Sequence, residues 1–198
     1  YTYQTFGRKF VDDDTNDHYE PYRMIFEDAE AWRRPLAVYM FASMLRSLTG
    51  MILRLVGFQR VRASTGLMGW YRPGKTTPFL FFHGIAPGGF FFYLPMILSI
   101  VPTDAPCFLF DNPSITCSIQ FAALDEQDTV QGVQEIVDRF HSGPVVVAGH
   151  SFGSCPVTWL FLSDFRHRIQ KAILLDPVAI LMHGTFCFLI LCCSRIIT

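Results

Sequence analysis

The sequence predicts an α/β protein with a mostly parallel central sheet, flanked by helices and preceded by a hydrophobic helix. Two observations indicate this fold class. From residue 59 onward, short continuous apolar runs alternate with helical segments, which is typical of parallel strands that are buried on both faces. Before them, the apolar stretch from Leu36 to Phe58 is long enough for about six turns of helix. The 198 residues suffice for one domain of ordinary size.

Four apolar runs are the predicted parallel strands of the sheet. They cover residues 79–82, 107–110, 145–148 and 171–175, and an earlier strand is predicted around Trp70 and Tyr71. Each run is followed closely by Gly, Asp or Asn, which are residues that favour turns. Helices are predicted over residues 90–100, 125–141 and 152–162, with Asp125 as the N-cap of the second.

The composition excludes several classes of protein. Hydrophobic residues make up 51% of the chain and charged residues 17%, against about 25% charged residues in a typical soluble domain. These values exclude a disordered chain, and the formal net charge of -1 gives no field that would attract nucleic acid. The six cysteines form no C-x-x-C pair, so neither a metal site nor a disulfide framework is predicted. We expect a cytoplasmic or membrane-associated protein, and not a secreted one.

Charge is distributed unevenly over the first part of the chain. The first thirty residues hold eight acidic and three basic residues, whereas residues 31–75 hold eight basic residues and no acidic one. We therefore divide the chain into three parts. These are an acidic N-terminal segment, residues 1–34; an amphipathic or membrane-associated helix, residues 35–58; and a partial α/β domain, residues 59–198.

The helix predicted from Leu36 to Phe58 carries one narrow polar stripe. The stripe consists of Ser43, Arg46, Ser47, Gly50 and Arg54. A membrane span would place Arg46 near the bilayer centre, at a cost of roughly 2.5–3.5 kcal/mol that the apolar residues about offset. The sequence leaves three interpretations open: a span, a helix lying on the membrane surface, and a helix packed on the domain. We expect Arg46 and Arg54 to point toward water or lipid headgroups.

The sharpest local motif is G-H-S-F-G at residues 149–153, between the strand over 145–148 and a predicted helix. A serine at such an abrupt strand-to-helix turn stands above the sheet edge with strained backbone angles, so its neighbours must be small. Gly149 and Gly153 meet this need. The motif predicts Ser151 as a nucleophile, and the alternative is a glycine-rich turn that serves packing only.

A second motif, H-G-I-A-P-G-G at residues 83–89, directly follows the strand over 79–82. A backbone N–H group in such a loop can face the serine and form half of an oxyanion hole. Ile85 is the candidate for this half, and the N–H group of Phe152 is the candidate for the other. We expect His83 to order the loop through hydrogen bonds. The alternative is a flexible glycine turn.

With these motifs, residues 66–180 resemble the α/β-hydrolase family. The resemblance is carried by F-F-H-G-I-A-P-G-G, L-F-D-N-P, V-V-V-A-G-H-S-F-G and I-L-L-D-P-V, and it is greatest to eukaryotic members of the AB hydrolase-1 type with hydrophobic N-terminal regions. It implies an α/β-hydrolase core, a serine–histidine–acid triad and hydrolysis of an ester or thioester of a small acyl compound. It implies no cofactor and no metal. The apolar composition favours a lipophilic substrate.

The resemblance also implies a histidine and an acid that this chain does not readily supply. Members of the family have their acid after the seventh strand and their histidine after the eighth, so we expect a C-terminally incomplete core that is a poor hydrolase by itself. Asp176 follows the strand over 171–175, where some lipase-like members place the acid; its alternative role is to cap the turn before Pro177. His183 is a candidate for the base. The alternative function is a non-catalytic, membrane-associated protein with the same fold.

Overall fold

The computed structural model describes residues 35–118 and 123–178, which belong to one compact unit, Arg34–Thr198. Its helices are α1 (Leu36–Leu55), α2 (Leu94–Ile100), α3 (Glu126–Asp138) and α4 (Ser154–Leu162). Its strands are β1 (Gln59–Arg62), β2 (Met68–Arg72), β3 (Phe79–Phe82), β4 (Cys107–Asp111), β5 (Val145–His150) and β6 (Ile169–Leu175). The predictions for residues 1–34 and 179–198 lie outside the described residues.

The six described strands form one sheet in the order β1-β2-β4-β3-β5-β6. Strands β4, β3, β5 and β6 are mutually parallel, and they are the four predicted strands, which confirms that prediction. Strand β2 contains Trp70 and Tyr71 and runs antiparallel to both β4 and β1. The sequence did not indicate β1, because a four-residue strand with three exposed polar residues carries almost no apolar signal.

The sheet separates two apolar layers, one against α3 and α4 and the other against α1 and α2. Strand β3 lies between them. Its Leu80 and Phe82 pack with Val133 of α3 and Leu160 of α4, whereas Phe81 packs on the opposite side with Ile97 of α2. Successive side chains of a strand point to opposite faces. Because both faces are buried, the strand is apolar at every position.

Two of the predicted helices are divided, and in each case a proline gives the reason. The helix predicted over 90–100 is a 3-10 turn over Gly89–Tyr93 followed by α2, which has Pro95 in its first turn. The helix predicted over 152–162 is a 3-10 turn over Ser151–Gly153 followed by α4, which has Pro156 in its first turn. Proline has no N–H to donate to the preceding turn, so it is tolerated only near a helix start.

The start of α3 and the end of α1 are determined by residues that lie next to them in sequence. The predicted N-cap of α3 is confirmed, since the Asp125 carboxylate accepts a hydrogen bond from Asp128 N–H at 2.7 Å. Helix α1 ends at Leu55, three residues before the predicted end, because Gly57 takes a left-handed φ of 90°. Phe58 N–H then bonds to the Leu53 carbonyl, which completes a Schellman motif.

Helix α1 packs against the sheet with part of its polar stripe facing inward, so the expected orientation of Arg46 is wrong. Arg46 points at the buried carboxylate of Asp111, with 2.9 Å between Nη2 and Oδ2. Gly50 lies so close to the Trp70 ring that a methyl group there would be 3.3 Å from it. Arg54 is exposed and lies over the same ring. The helical period predicted which residues form the stripe. It could not predict that the stripe residue Arg46 turns inward, because its partner Asp111 lies on strand β4.

Candidate active site

Ser151 lies at the carboxyl end of β5, where the chain turns from the strand into the 3-10 turn before α4. Its φ is 49°, a left-handed value that is uncommon for any residue other than glycine. A methyl group added at Gly149 would lie 2.5 Å from the Gly153 carbonyl oxygen, and one added at Gly153 would lie 2.1 Å from the Phe82 carbonyl oxygen. Backbone atoms therefore close both flanking positions to any larger residue.

The glycine loop after β3 packs directly against this turn. A methyl group at Gly84 would lie 2.9 Å from Ser151 Cβ and 2.9 Å from the His150 carbonyl oxygen. The next residue, Ile85, has no hydrogen-bond acceptor for its N–H group among the described residues. Phe152 is the second residue of a helical turn, so its N–H group has no acceptor within that turn. Two candidate backbone donors thus belong to segments that meet at Ser151.

Tyr93 joins the glycine loop to the serine turn. Its hydroxyl accepts a hydrogen bond from Gly84 N–H at 3.0 Å and lies 2.8 Å from Nδ1 of His150. Burial raises the pKa of Tyr93, so the hydroxyl keeps its proton at neutral pH. Because the hydroxyl oxygen accepts from Gly84, its own proton is available to His150. Sequence analysis did not indicate this role, because Tyr93 was only one apolar position of a predicted helix.

His83 is buried beneath the same loop and orders it, as predicted. Its Nδ1 lies 2.7 Å from the Gly84 carbonyl oxygen, and its Nε2 accepts a hydrogen bond from Asn112 N–H at 3.2 Å. Oδ1 of Asp111 lies 3.6 Å from Nε2 of the same ring.

Asp111 is the charged centre beneath the loop, and sequence reasoning missed it. Burial alone would raise its pKa, but the interaction with His83 and the positive charges of Arg46 and Arg60 outweigh burial and lower the pKa to about 2. Arg46 also donates to the Thr116 hydroxyl at 3.2 Å. The cluster fixes α1 to the carboxyl end of β4, two strands away from Ser151 in the sheet.

Asp176 lies at the same sheet edge as Ser151, directly after the neighbouring strand β6. Strands β5 and β6 pair in parallel up to His150 and Leu175, so Ser151 and Asp176 are the first residues after the two strands. Asp176 is exposed and has a φ of 46°. Its carboxylate has no hydrogen-bond partner among the described residues.

No described histidine is hydrogen-bonded to Ser151. His141 contacts the Pro144 carbonyl oxygen before β5 begins, and His167 contacts Arg166 before β6 begins, so both lie toward the opposite edge of the sheet. His183 lies outside the described residues. Within residues 35–118 and 123–178, no group of three or more histidine, cysteine or carboxylate side chains is arranged to hold a metal ion.

A small cavity of about 40 Å³ lies beside the serine turn, between α4 and the ends of β3 and β4. Its lining includes Phe82, Phe110, Phe152, Pro156 and Trp159. This volume holds only a few water molecules. The lining is mixed: aromatic and apolar side chains lie next to Phe152, and His83, Asp111, Asn112 and Thr129 are its polar members.

The described fold matches solved structures of esterases. It is similar to the naproxen esterase (carboxylesterase NP) of Bacillus subtilis, with 16% identity, a TM-score of 0.51 and coverage of 69% of this chain and 50% of that one. For carboxylesterase CesB of Bacillus subtilis, the identity is 14%, the TM-score 0.52 and the coverage 71% and 50%. For a bacterial membrane phospholipase A, the identity is 17%, the TM-score is 0.50, and the coverage is 72% of this chain and 47% of that one.

These similarities establish the fold, which is that of the α/β-hydrolases, as the resemblance of residues 66–180 implied. The chain spans about half the length of the solved structures it matches. No protein-family model matches the sequence, and no curated protein matches it. Because one fold supports many activities, function must be argued from the site.

Proposed function

We propose that this protein is a serine hydrolase in which Ser151 Oγ attacks the carbonyl carbon of an ester or thioester. The observation that supports this most is the left-handed backbone of Ser151 between two glycines that no larger residue can replace. A left-handed backbone costs a non-glycine residue roughly 1–2 kcal/mol. A turn that served packing alone would carry glycine here, so a serine in this conformation indicates use of its hydroxyl.

The N–H groups of Ile85 and Phe152 form the oxyanion hole in this proposal. Attack by the serine places negative charge on the former carbonyl oxygen, and donors fixed in advance stabilise that charge. Gly84 N–H is occupied by Tyr93, so Ile85 provides the first available N–H group of the loop. The exposed side chain of Ile85 leaves its backbone open to a substrate.

A serine hydroxyl is a weak nucleophile until a base takes its proton. His83 and His150 are bonded to the loop and to Tyr93, and His141 and His167 lie toward the far edge of the sheet. We therefore place the base outside the described residues, either at His183 or in sequence beyond Thr198. Asp176 is the proposed acid, since it leaves the sheet beside Ser151.

The proposed substrate is a small acyl ester or thioester with a lipophilic part. The aromatic side chains that line part of the cavity beside Phe152 and the apolar composition support this class. The second candidate function is a non-catalytic, membrane-associated protein that keeps the fold. The observation in its favour is that no described histidine is hydrogen-bonded to Ser151.

Labelling with a fluorophosphonate probe tests the proposal, because the probe reacts with activated serines. We expect slow labelling of the 198-residue chain. The oxyanion hole and substrate binding alone accelerate a reaction by only about 10³–10⁴ relative to its rate in water. A longer natural chain that brings a downstream histidine should label rapidly. Ser151→Ala is the blank, and Ser99→Ala, an exposed serine on α2, is the matched control.

The variants separate the two candidate functions. Labelling that Ser151→Ala abolishes and Ser99→Ala leaves unchanged supports the hydrolase. If His183→Ala also abolishes it, His183 is the base. If neither the 198-residue chain nor a longer chain labels at Ser151, the hydrolase proposal is wrong and the non-catalytic function is favoured.

A further inference from the structure

Helix α1 turns an apolar face toward solvent. The residues of this outer face all lie on one side of the helix and are all exposed: Ala37, Met40, Phe41, Met44, Leu48, Met51 and Leu55. Met40 is 65% exposed, and Leu55 is 79% exposed. The face extends over about 27 Å at the rise of an α-helix. The solvent side of a helix on a soluble protein is normally charged or polar, so a continuous apolar face marks an interaction surface.

The opposite side of α1 is fixed to the domain. Ala42 and Leu53 are completely buried, and Arg46 is bonded to Asp111 and Thr116. The helix therefore uses part of its polar stripe for packing and exposes its apolar face, which is the reverse of an ordinary surface helix.

Positive charge borders the outer face. Arg54 lies beside it on the last turn of α1 and is exposed. Residues 31–75, which include α1, contain eight basic residues and no acidic residue. An apolar surface bordered by an arginine complements a bilayer that contains anionic lipids, because the apolar side chains enter the acyl boundary while the arginine meets headgroups.

We propose that the outer face of α1 lies in the plane of an anionic lipid bilayer and docks the protein there as a peripheral protein. Among the described helices, α1 alone is long and apolar enough to cross a membrane. To do so, however, it would have to leave the sheet, break the Arg46–Asp111 ion pair and expose Leu53. Separating this partly buried ion pair is unfavourable, because it takes a cation away from the buried Asp111 carboxylate. The docking does not depend on the chemistry of Ser151.

Vesicle flotation with the full 198-residue chain tests the proposal. The probes are vesicles of phosphatidylcholine alone and vesicles with about 30% phosphatidylserine. We expect flotation with the anionic vesicles, weaker flotation with the neutral ones, and release by added salt or by alkaline carbonate. Met44→Glu places a charge in the outer face and should reduce the bound fraction at least about fivefold.

The matched control is Leu162→Glu, because Leu162 at the end of α4 is 51% exposed and Met44 is 56% exposed. Leu162→Glu should float like the unmodified chain, and circular dichroism should show both variants folded. Failure of the unmodified chain to float, or equal flotation of Met44→Glu, overturns the proposal. So does resistance to carbonate, which indicates a span. A lipid-independent dimer that Met44→Glu dissociates would instead assign the face to a second copy of the chain.

Discussion

Ser151 and Asp176 occupy equivalent places on neighbouring parallel strands. Each follows the paired residues His150 and Leu175, and each turns out of the sheet with a left-handed φ, 49° for Ser151 and 46° for Asp176. Two strained non-glycine residues at one sheet edge are uncommon, and such strain concentrates at functional sites. We therefore interpret this edge as the functional part of the molecule, where strained backbone conformations are kept although they reduce stability.

Replacing Ser151 with glycine should stabilise the protein while removing its reactivity. Glycine adopts a φ of 49° without the steric cost that serine carries, so we expect the free energy of unfolding to rise by about 1 kcal/mol. Urea unfolding measures the gain, and probe labelling measures the loss. Asp176→Gly should give a similar gain. A decrease in stability for both variants would show that neither backbone is strained.

Gly84→Ala should impair the site more than the fold. The added methyl group would lie 2.9 Å from Ser151 Cβ, so the loop must move away from the serine. We expect Ser151 labelling, measured in a chain that labels, to fall at least about tenfold, because one oxyanion donor is worth roughly 10²–10³ in rate. Gly66→Ala is the control, since Gly66 has a left-handed φ of 95° but no atom within 4 Å of the added group. Equal labelling losses in the two variants would contradict the proposed loop contact.

Tyr93→Phe tests the link between the glycine loop and the serine turn. The change keeps the ring and removes the hydroxyl that accepts from Gly84 N–H. A buried donor without its acceptor costs about 1–3 kcal/mol. We expect that loss in urea unfolding, together with faster hydrogen exchange at the Gly84 amide. Unchanged exchange at Gly84 would mean that the hydroxyl does not hold the loop.

The Asp111 carboxylate should make stability depend on acid pH. Its pKa is lowered to about 2 in the folded protein from an ordinary value of 3.8, so the folded state favours the charged form. The resulting stabilisation is present above about pH 4 and is lost as the pH falls through about 2. A lowering of this size corresponds to roughly 2 kcal/mol. Unfolding of the protein and of Asp111→Asn from pH 7 to 2 should show a steeper acid loss in the unmodified chain; parallel curves would contradict it.

Replacing Arg46 should lower the free energy of unfolding, and the size of the loss should depend on whether Asp111 is present. Arg46→Met leaves the buried carboxylate with Arg60 as its remaining cation, and we expect a loss of about 2–4 kcal/mol. The double variant with Asp111→Asn should lose less than the sum of the two single changes, because the groups interact directly. Urea unfolding of the four proteins measures the coupling. Additive losses would show that the ion pair does not stabilise the placement of α1.

The sequence alone determined the features that depend on neighbouring residues. Continuous apolar runs predicted the four parallel strands, because a strand covered on both faces is apolar at every position. The two glycines around Ser151 predicted the sharp turn, because the steric requirement involves residues only two positions away. The N-cap of α3 is equally local. Periodicity alone did not predict the effect of two prolines. Each of them divides a segment that the apolar pattern predicted as one helix into a 3-10 turn and a shorter α-helix.

Tertiary structure alone decided which side of α1 faces the domain and what holds the glycine loop. Arg46 and Asp111 are 65 positions apart, and Tyr93 and His150 are 57 apart. A periodic pattern shows that a helix has two different faces, but an arginine can be buried only where another element brings a carboxylate to it. Because that partner is set by strand order and not by local sequence, the inward Arg46 and the outward apolar face emerge only once the chain is folded.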